Sequence, residues 1–166
     1  ALSDLDELTL LWAHNNQIQN IGALAGKPGM QQLSLNDNAI SDLGALSQME
    51  NLEYLFLSNN QISGISPLRR LHALQVLRLE NNSITDVSAL AGLDSLRELS
   101  LAQNWSLYDV RPLFLNAGMG EGLELDLRFT HVRCSDMGAF DRLGVDLLRV
   151  TAINGSACEG RRLEDP

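Results

Sequence analysis

The chain has 166 residues, of which 45% are hydrophobic and 20% charged, with a formal net charge of −9. One domain of ordinary size with a sizeable core fits that length. An acidic surface excludes nucleic acid and anionic lipid as the main partner, and no apolar run approaches the roughly 18 residues of a membrane span. Aromatic residues make up only 5%, so the expected core is aliphatic.

The chain opens at Ala1 with no basic, apolar leader, which reads as a processed or excerpted segment. Leu2, Leu5 and Leu8 fit the tail of a structural unit that leads into a regular array. No polar capping unit precedes them, so further units upstream are expected. From there Asn16, Asn38, Asn60, Asn82 and Asn104 recur every 22 residues. Around each lies one frame, with apolar residues eight, five and three positions before the Asn and two, five and eight after it. In the third copy these are Leu52, Leu55, Leu57, Ile62, Ile65 and Leu68; the fourth has Leu74, Leu77, Leu79, Ile84, Val87 and Leu90. Five copies in register predict stacked coils, each covering the leucines of its neighbours. The Asn amide, with two donors and an acceptor, suits a buried bend, and stacked copies predict a structural ladder.

After Asn104 the apolar positions arrive one residue late, at Leu107, Val110 and Leu113, so Trp105 or Ser106 is an insertion and a local bulge is expected. Leu125 and Leu127 restore a strand, with Thr130 at the Asn position and Val132 following. "GMGEG", residues 118–122, lacks the Lys-Ser or Lys-Thr of a phosphate loop and reads as a flexible insertion. A seventh, degenerate strand is expected in "VDLLRVTAI", with Leu148 and Val150 inward. Residues 1–158 are thus expected to form one domain of five regular coils and two irregular ones. Residues 159–166 have no periodicity and read as a polar tail or linker.

The frame L-x-x-L-x-L-x-x-N-x-I resembles the 22-residue class of leucine-rich repeats found in bacterial internalins and in a eukaryotic phosphatase-regulatory subunit. That resemblance covers residues 1 to about 113. The segment after it is similar to the C-terminal unit of secreted bacterial repeat proteins, through Gly118, Gly120, Asp126, Leu127, Arg128, Cys134, Gly144 and Val145. That unit usually carries Asn-Pro-Leu where this chain has Thr130, His131 and Val132. The resemblance implies an α/β solenoid, a horseshoe with a curved parallel sheet on its concave face and short loops or 3-10 turns on its convex face. It also implies binding of other macromolecules, with no chemistry in the coils.

Equivalent positions in such a sheet lie about 4.8 Å apart, so columns can be read from the repeat alignment. Four residues before the Asn stand Trp12, Ser34, Phe56, Arg78, Ser100, Asp126 and Arg149. Two before it stand His14, Asn36, Ser58, Glu80, Ala102, Arg128 and Thr151, and six before it Leu10, Gln32, Tyr54, Val76, Glu98, Glu124 and Leu147. These columns vary while the leucine rows hold, which marks them as surface. Trp12, Tyr54 and Phe56 form an aromatic patch, and Trp12, His14, Tyr54, Phe56, Arg78 and Glu80 are the predicted partner-binding residues, of types that often dominate interfaces.

No cofactor or metal is expected: Glu124 and Asp126 fall short of the ligands calcium needs, and His14, His72 and His131 are too far apart for a triad. Cys134 and Cys158 fall at nearly equivalent places in adjacent coils, within disulfide reach. A bridge would contribute roughly 3 kcal/mol, and two buried thiols are the alternative. The expected function is non-catalytic, monomeric protein–protein recognition through the concave face, within a larger secreted or surface bacterial protein. An intracellular regulatory scaffold, or a targeting or spacer domain of an enzyme outside this segment, are the alternatives.

Overall fold

The computed structural model describes residues 5, 7–118, 120, 122–143, 146–148, 150–151 and 157–158. Each 22-residue period makes one coil: a three-residue strand, a turn at the Asn, and a return through a 3-10 turn. The strands are β1 (Leu10–Trp12), β2 (Gln32–Ser34), β3 (Tyr54–Phe56), β4 (Val76–Arg78), β5 (Glu98–Ser100), β6 (Glu124–Asp126) and β7 (Asp146–Leu148). They stack in chain order into one parallel sheet. The 3-10 turns Gly22–Leu24, Gly44–Leu46, Ser66–Arg70, Ser88–Leu90 and Arg111–Leu115 lie on the opposite, convex side. This is the leucine-rich horseshoe that the resemblance implied.

Register explains the two-sided look of a strand such as Tyr54–Phe56. Leu33, Leu55, Leu77, Leu99 and Leu125 pair one with the next along the sheet and all are buried, together with Leu35, Leu57, Leu79, Leu101 and Leu127. Ile40, Ile62, Ile84, Leu107 and Val132 then fill the core behind the turn. One continuous aliphatic core therefore runs the length of the stack. Removing each leucine from water contributes about 2 kcal/mol before the entropy of ordering the chain is subtracted.

The turns are built from two adjacent columns. Asn15, Asp37, Asn59, Asn81 and Gln103 have φ of 51° to 58°, the left-handed region that short polar side chains tolerate best. The frame Asn comes next. Asn104 Nδ2 donates to the carbonyls of Leu79, Leu101 and Ala102, and its Oδ1 accepts from the Ile84 N–H. Asn38, Asn60 and Asn82 repeat that pattern one coil apart. Asn16 is exposed and donates only to Ala13 and His14, since no described coil precedes it to supply the other partners. Thr130, buried at the equivalent place in the sixth coil, can donate only one bond, to Leu127 O at 2.8 Å.

The C-terminal end departs from the expectation in three ways. The return of the sixth coil is a true helix, α1 (Cys134–Leu143), instead of a 3-10 turn; Phe140 at its core side packs edge-on to Phe114, ring centroids 4.7 Å apart. The register of β7 is one residue from that expected, because Leu147 pairs with Leu125, and Asp146 and Leu148 with Glu124 and Asp126. Leu147 thus takes the register position of the frame leucine, and Val150 belongs to β8 (Val150–Thr151), antiparallel to β9 (Ala157–Cys158). Finally, Gly118 is no flexible spacer: a Cβ there would overlap the Asp94 backbone, and the neighbouring buried Asn116 is tied to Leu90 O and Leu93 O.

Candidate binding face

The outward row of each strand, and the residue after it, make the concave face. Trp12 is 66% exposed, with Tyr54 and Phe56 half-buried two coils away. Together with His14, Ser34 and Arg78 they line a hollow of about 570 Å³. The Arg78 guanidinium lies 5.7 Å from the centre of the Phe56 ring, a cation–π arrangement that fixes both groups. Arg78 Nε also donates to Glu98 Oε1 at 2.5 Å. That hydrogen bond is the chief reason the guanidinium is held even more firmly in its charged form, with Glu80 and Glu124 adding to it. Glu80 accepts a hydrogen bond from Ser58 Oγ.

The six predicted partner-binding residues divide unevenly. Trp12, His14, Tyr54, Phe56 and Arg78 border one hollow; Glu80 lies beyond it, in the next column. Several other positions predicted as surface are buried: Ser34, Ser100, Ala102 and Asp126. Their side chains are short, so larger neighbours in the same rows shade them from water. Asp126 is also drawn down by its own coil, accepting the Arg128 backbone N–H at 3.0 Å and pairing with the Arg128 guanidinium at 2.6 Å. Among the described residues no group of three or more His, Cys, Asp or Glu could hold a metal ion, and no helix is long and apolar enough to cross a membrane.

A family model described as leucine-rich repeats in two copies matches residues 28–70, 50–92 and 72–112, just over half of the chain. The chain belongs to the leucine-rich repeat family. Solved structures place it among the internalin-like members. It is similar to internalin F of Listeria monocytogenes, with 28% identity over 87% of this chain and 41% of that one, and a TM-score of 0.75. It is also similar to internalin C2 of the same bacterium, with 26% identity over 91% of this chain and 74% of that one, TM-score 0.66. A leucine-rich repeat protein of Leptospira interrogans shares the fold, at 20% identity and a TM-score of 0.77 over 91% of this chain and 39% of that one. A search of the curated proteins found no match. The chain thus spans less than half the length of internalin F and of the Leptospira protein. Leucine-rich repeat domains of this kind are protein-interaction modules and typically non-catalytic.

This leucine-rich repeat domain carries a second aromatic group that the repeat frame gave no reason to expect. Just after Asn104, Trp105 and Tyr108 are 56% and 59% exposed. They meet the sixth coil at Phe129, 5.9 Å from Trp105, and at His131, stacked 4.9 Å from Tyr108. The His131 ring nitrogen is bonded to Trp105 O. The insertion and an aromatic residue at the left-handed turn position are both visible in the sequence, but 24 residues apart; only the coil pitch joins them. On the convex side a broader hollow of about 860 Å³ lies between the turn at Arg111–Leu115 and α1, floored by Pro112, Phe114 and Leu115. At its rim two hydrogen bonds from Arg111, side chain first and then backbone, hold the Asp109 carboxyl down to about 2. Of Cys134, which begins α1, and Cys158, in β9, the side chains lie outside the described residues, as does the proposed bridge between them.

Proposed function

We propose that this domain binds a protein partner through its concave face, anchored on Trp12, Tyr54 and Phe56, as a module of a larger secreted or surface bacterial protein. The observation that carries the reading is that three large aromatic side chains border one hollow with an arginine at positions where other coils hold Gln, Ser or Glu. The fold does not need them there. Aromatic residues and Arg are the types in which interface energy concentrates, and a contiguous apolar patch of this kind on a soluble surface marks an interaction site. Likeness to the internalins supports the bacterial surface context.

The test uses the whole 166-residue chain and a partner recovered with it. Replacing Trp12, Tyr54 and Phe56 together by Ala is expected to weaken affinity at least tenfold, each lost anchor costing about 1–2 kcal/mol, while the circular dichroism spectrum and the unfolding midpoint change little. Undiminished affinity in the folded triple variant overturns the concave reading.

A further inference from the structure

The aromatic hollow has a shape that strand register explains. β2 puts two polar side chains on the concave face, Gln32 and Ser34, whereas the strands on either side put up large apolar ones. In one row Ser34 lies in register between Trp12 and Phe56; in the next Gln32 lies between Leu10 and Tyr54. Ser34 is 8% exposed and Trp12 66%, so β2 is the floor of a trough with apolar walls. The hollow over it, about 570 Å³, is within the range of about 300–1,000 Å³ in which ligand sites fall. Arg78 reaches the Phe56 ring from β4, on the side away from β2, and closes the hollow there. β1 and β3 are two strand spacings apart, about 10 Å, and carbon atoms in contact sit about 3.5–4.0 Å apart. One side chain between Trp12 and Phe56 therefore takes up about 7–8 Å, and two stacked there would need about 11 Å or more. A single side chain fits the gap and a pair does not.

We propose that the notch between Trp12 and Phe56, above Ser34, takes a single large apolar side chain from a basic segment of the protein partner. The inference rests on the concave reading above and names the partner's chemistry. The anchor is apolar because both walls are aromatic and the floor hydroxyl makes only one long contact, 3.4 Å from His14 Nδ1. A side chain desolvated between two rings gains what an interface hot spot gains. Charge sets the rest of the segment. Asp37 stands at the rim of the hollow and forms no ion pair among the described residues. Glu80, two residues past β4, and Glu98, in β5, lie beyond it. Against these carboxylates stands the guanidinium of Arg78, already bonded to Glu98. Basic residues beside the anchor are drawn to this face and acidic ones repelled. Trp12 and Phe56 thus act as the walls of a socket, and the short residue between them matters as much as they do.

A phage-displayed library of random 12-residue peptides, panned against the whole chain, tests this. Selected peptides are expected to share one large apolar residue and a net positive charge, and changing that residue to Ala should weaken binding about tenfold or more. Ser34→Phe keeps all three aromatic residues and fills the notch. The same row already holds Phe56 and Arg78, so the fold has room for a long side chain there. This variant should weaken the selected peptides about tenfold or more. Ser34→Gln, smaller and uncharged, is the second filling variant and should weaken them about threefold, whereas Ser34→Ala, which leaves the notch open, should stay within about twofold. Circular dichroism checks that each variant is folded. Peptides that lose affinity for the Trp12, Tyr54 and Phe56 triple variant, yet bind the two filling variants undiminished or more tightly, overturn the notch and leave the concave reading standing. So do triple-sensitive peptides without a large apolar residue or without net positive charge. A library that yields no binder sensitive to the triple variant overturns the concave reading and the notch with it.

Discussion

Asn104 and Asn16 occupy the same place in the repeat and do different work. Asn104 is wholly buried, and its amide closes four bonds, two of them to the coil before it. Asn16 is exposed and closes two, both within its own turn. Asn104→Ala strips the buried Ile84 N–H of its acceptor and the Leu101 carbonyl of its donor, whereas Leu79 O keeps Asn82 Nδ2 and Ala102 O keeps the Asn81 N–H. An orphaned buried group costs about 1–3 kcal/mol, so the substitution should destabilise by about 3–4 kcal/mol, with urea unfolding as the measurement. Asn16→Ala, whose partners can turn to water, should cost less than about 1 kcal/mol. Equal losses at the two sites would mean that the ladder acts through the turn alone and not across coils. The letters disclosed the Asn column because its period is fixed. They did not disclose that Ser34 and Ser100 sink below their row, since burial of a short side chain depends on the size of its neighbours, and those vary from coil to coil. Phe129 is the sharper case: it takes φ of 58°, costly for a bulky side chain, and its ring lies against Trp105.

At the scale of the element, the 3-10 turns share a start that the frame did not single out. Asn20, Asp42, Asp86 and Asp109 each accept, through Oδ1, the backbone N–H two residues on, at 2.7 to 2.9 Å. This local turn satisfies the first free donor of the 3-10 segment. The third coil has Gly64 at that position, followed by the turn Ser66–Arg70. A Cβ at Gly64 would meet nothing within 4 Å. Gly64→Asp should therefore add the missing bond to the Ser66 N–H and lower the entropy of the unfolded chain. The expected gain is about 1 kcal/mol, read as a rise of about 2–4 °C in melting temperature for a chain of this size. No gain, or a loss, would show that the bond in the other coils is a consequence of the turn and not a cause. Elements were legible where the frame was complete, and illegible where two registers satisfied it. In "VDLLRVT", Val145 and Leu147 alternate as well as Leu148 and Val150 do. Alternation alone cannot choose between them; it is the pairing of β7 with β6 that sets Leu147 opposite Leu125.

For the whole molecule, each coil touches only the coils beside it, so stability is carried from neighbour to neighbour and the end coils have half the support. The same bond recurs along the stack: the N–H of Ala13 donates to Ser34 O, that of Leu57 to Arg78 O and that of Leu79 to Ser100 O, at 2.8 to 2.9 Å. Geometry alone would protect the three amides alike. Their surroundings differ, because Leu57 and Leu79 are fully buried between coils on both sides, whereas Leu10 and Trp12, beside Ala13, are largely exposed on the first strand of the sheet. In the isolated 166-residue chain, opening the first described coil breaks one described interface, and opening the third or fourth breaks two. Native-state hydrogen exchange should then show Ala13 exchanging at least about a hundredfold faster than Leu57 and Leu79, a gap of about 3 kcal/mol or more in opening free energy. Uniform protection would mean that the array opens as one cooperative unit. The expected gradient bears directly on binding, because Trp12 sits on the coil that opens most easily while Tyr54 and Phe56 sit on a firm one. A partner bridging all three would tie the first coil to the third, so protection of Ala13 should rise when the concave face is occupied.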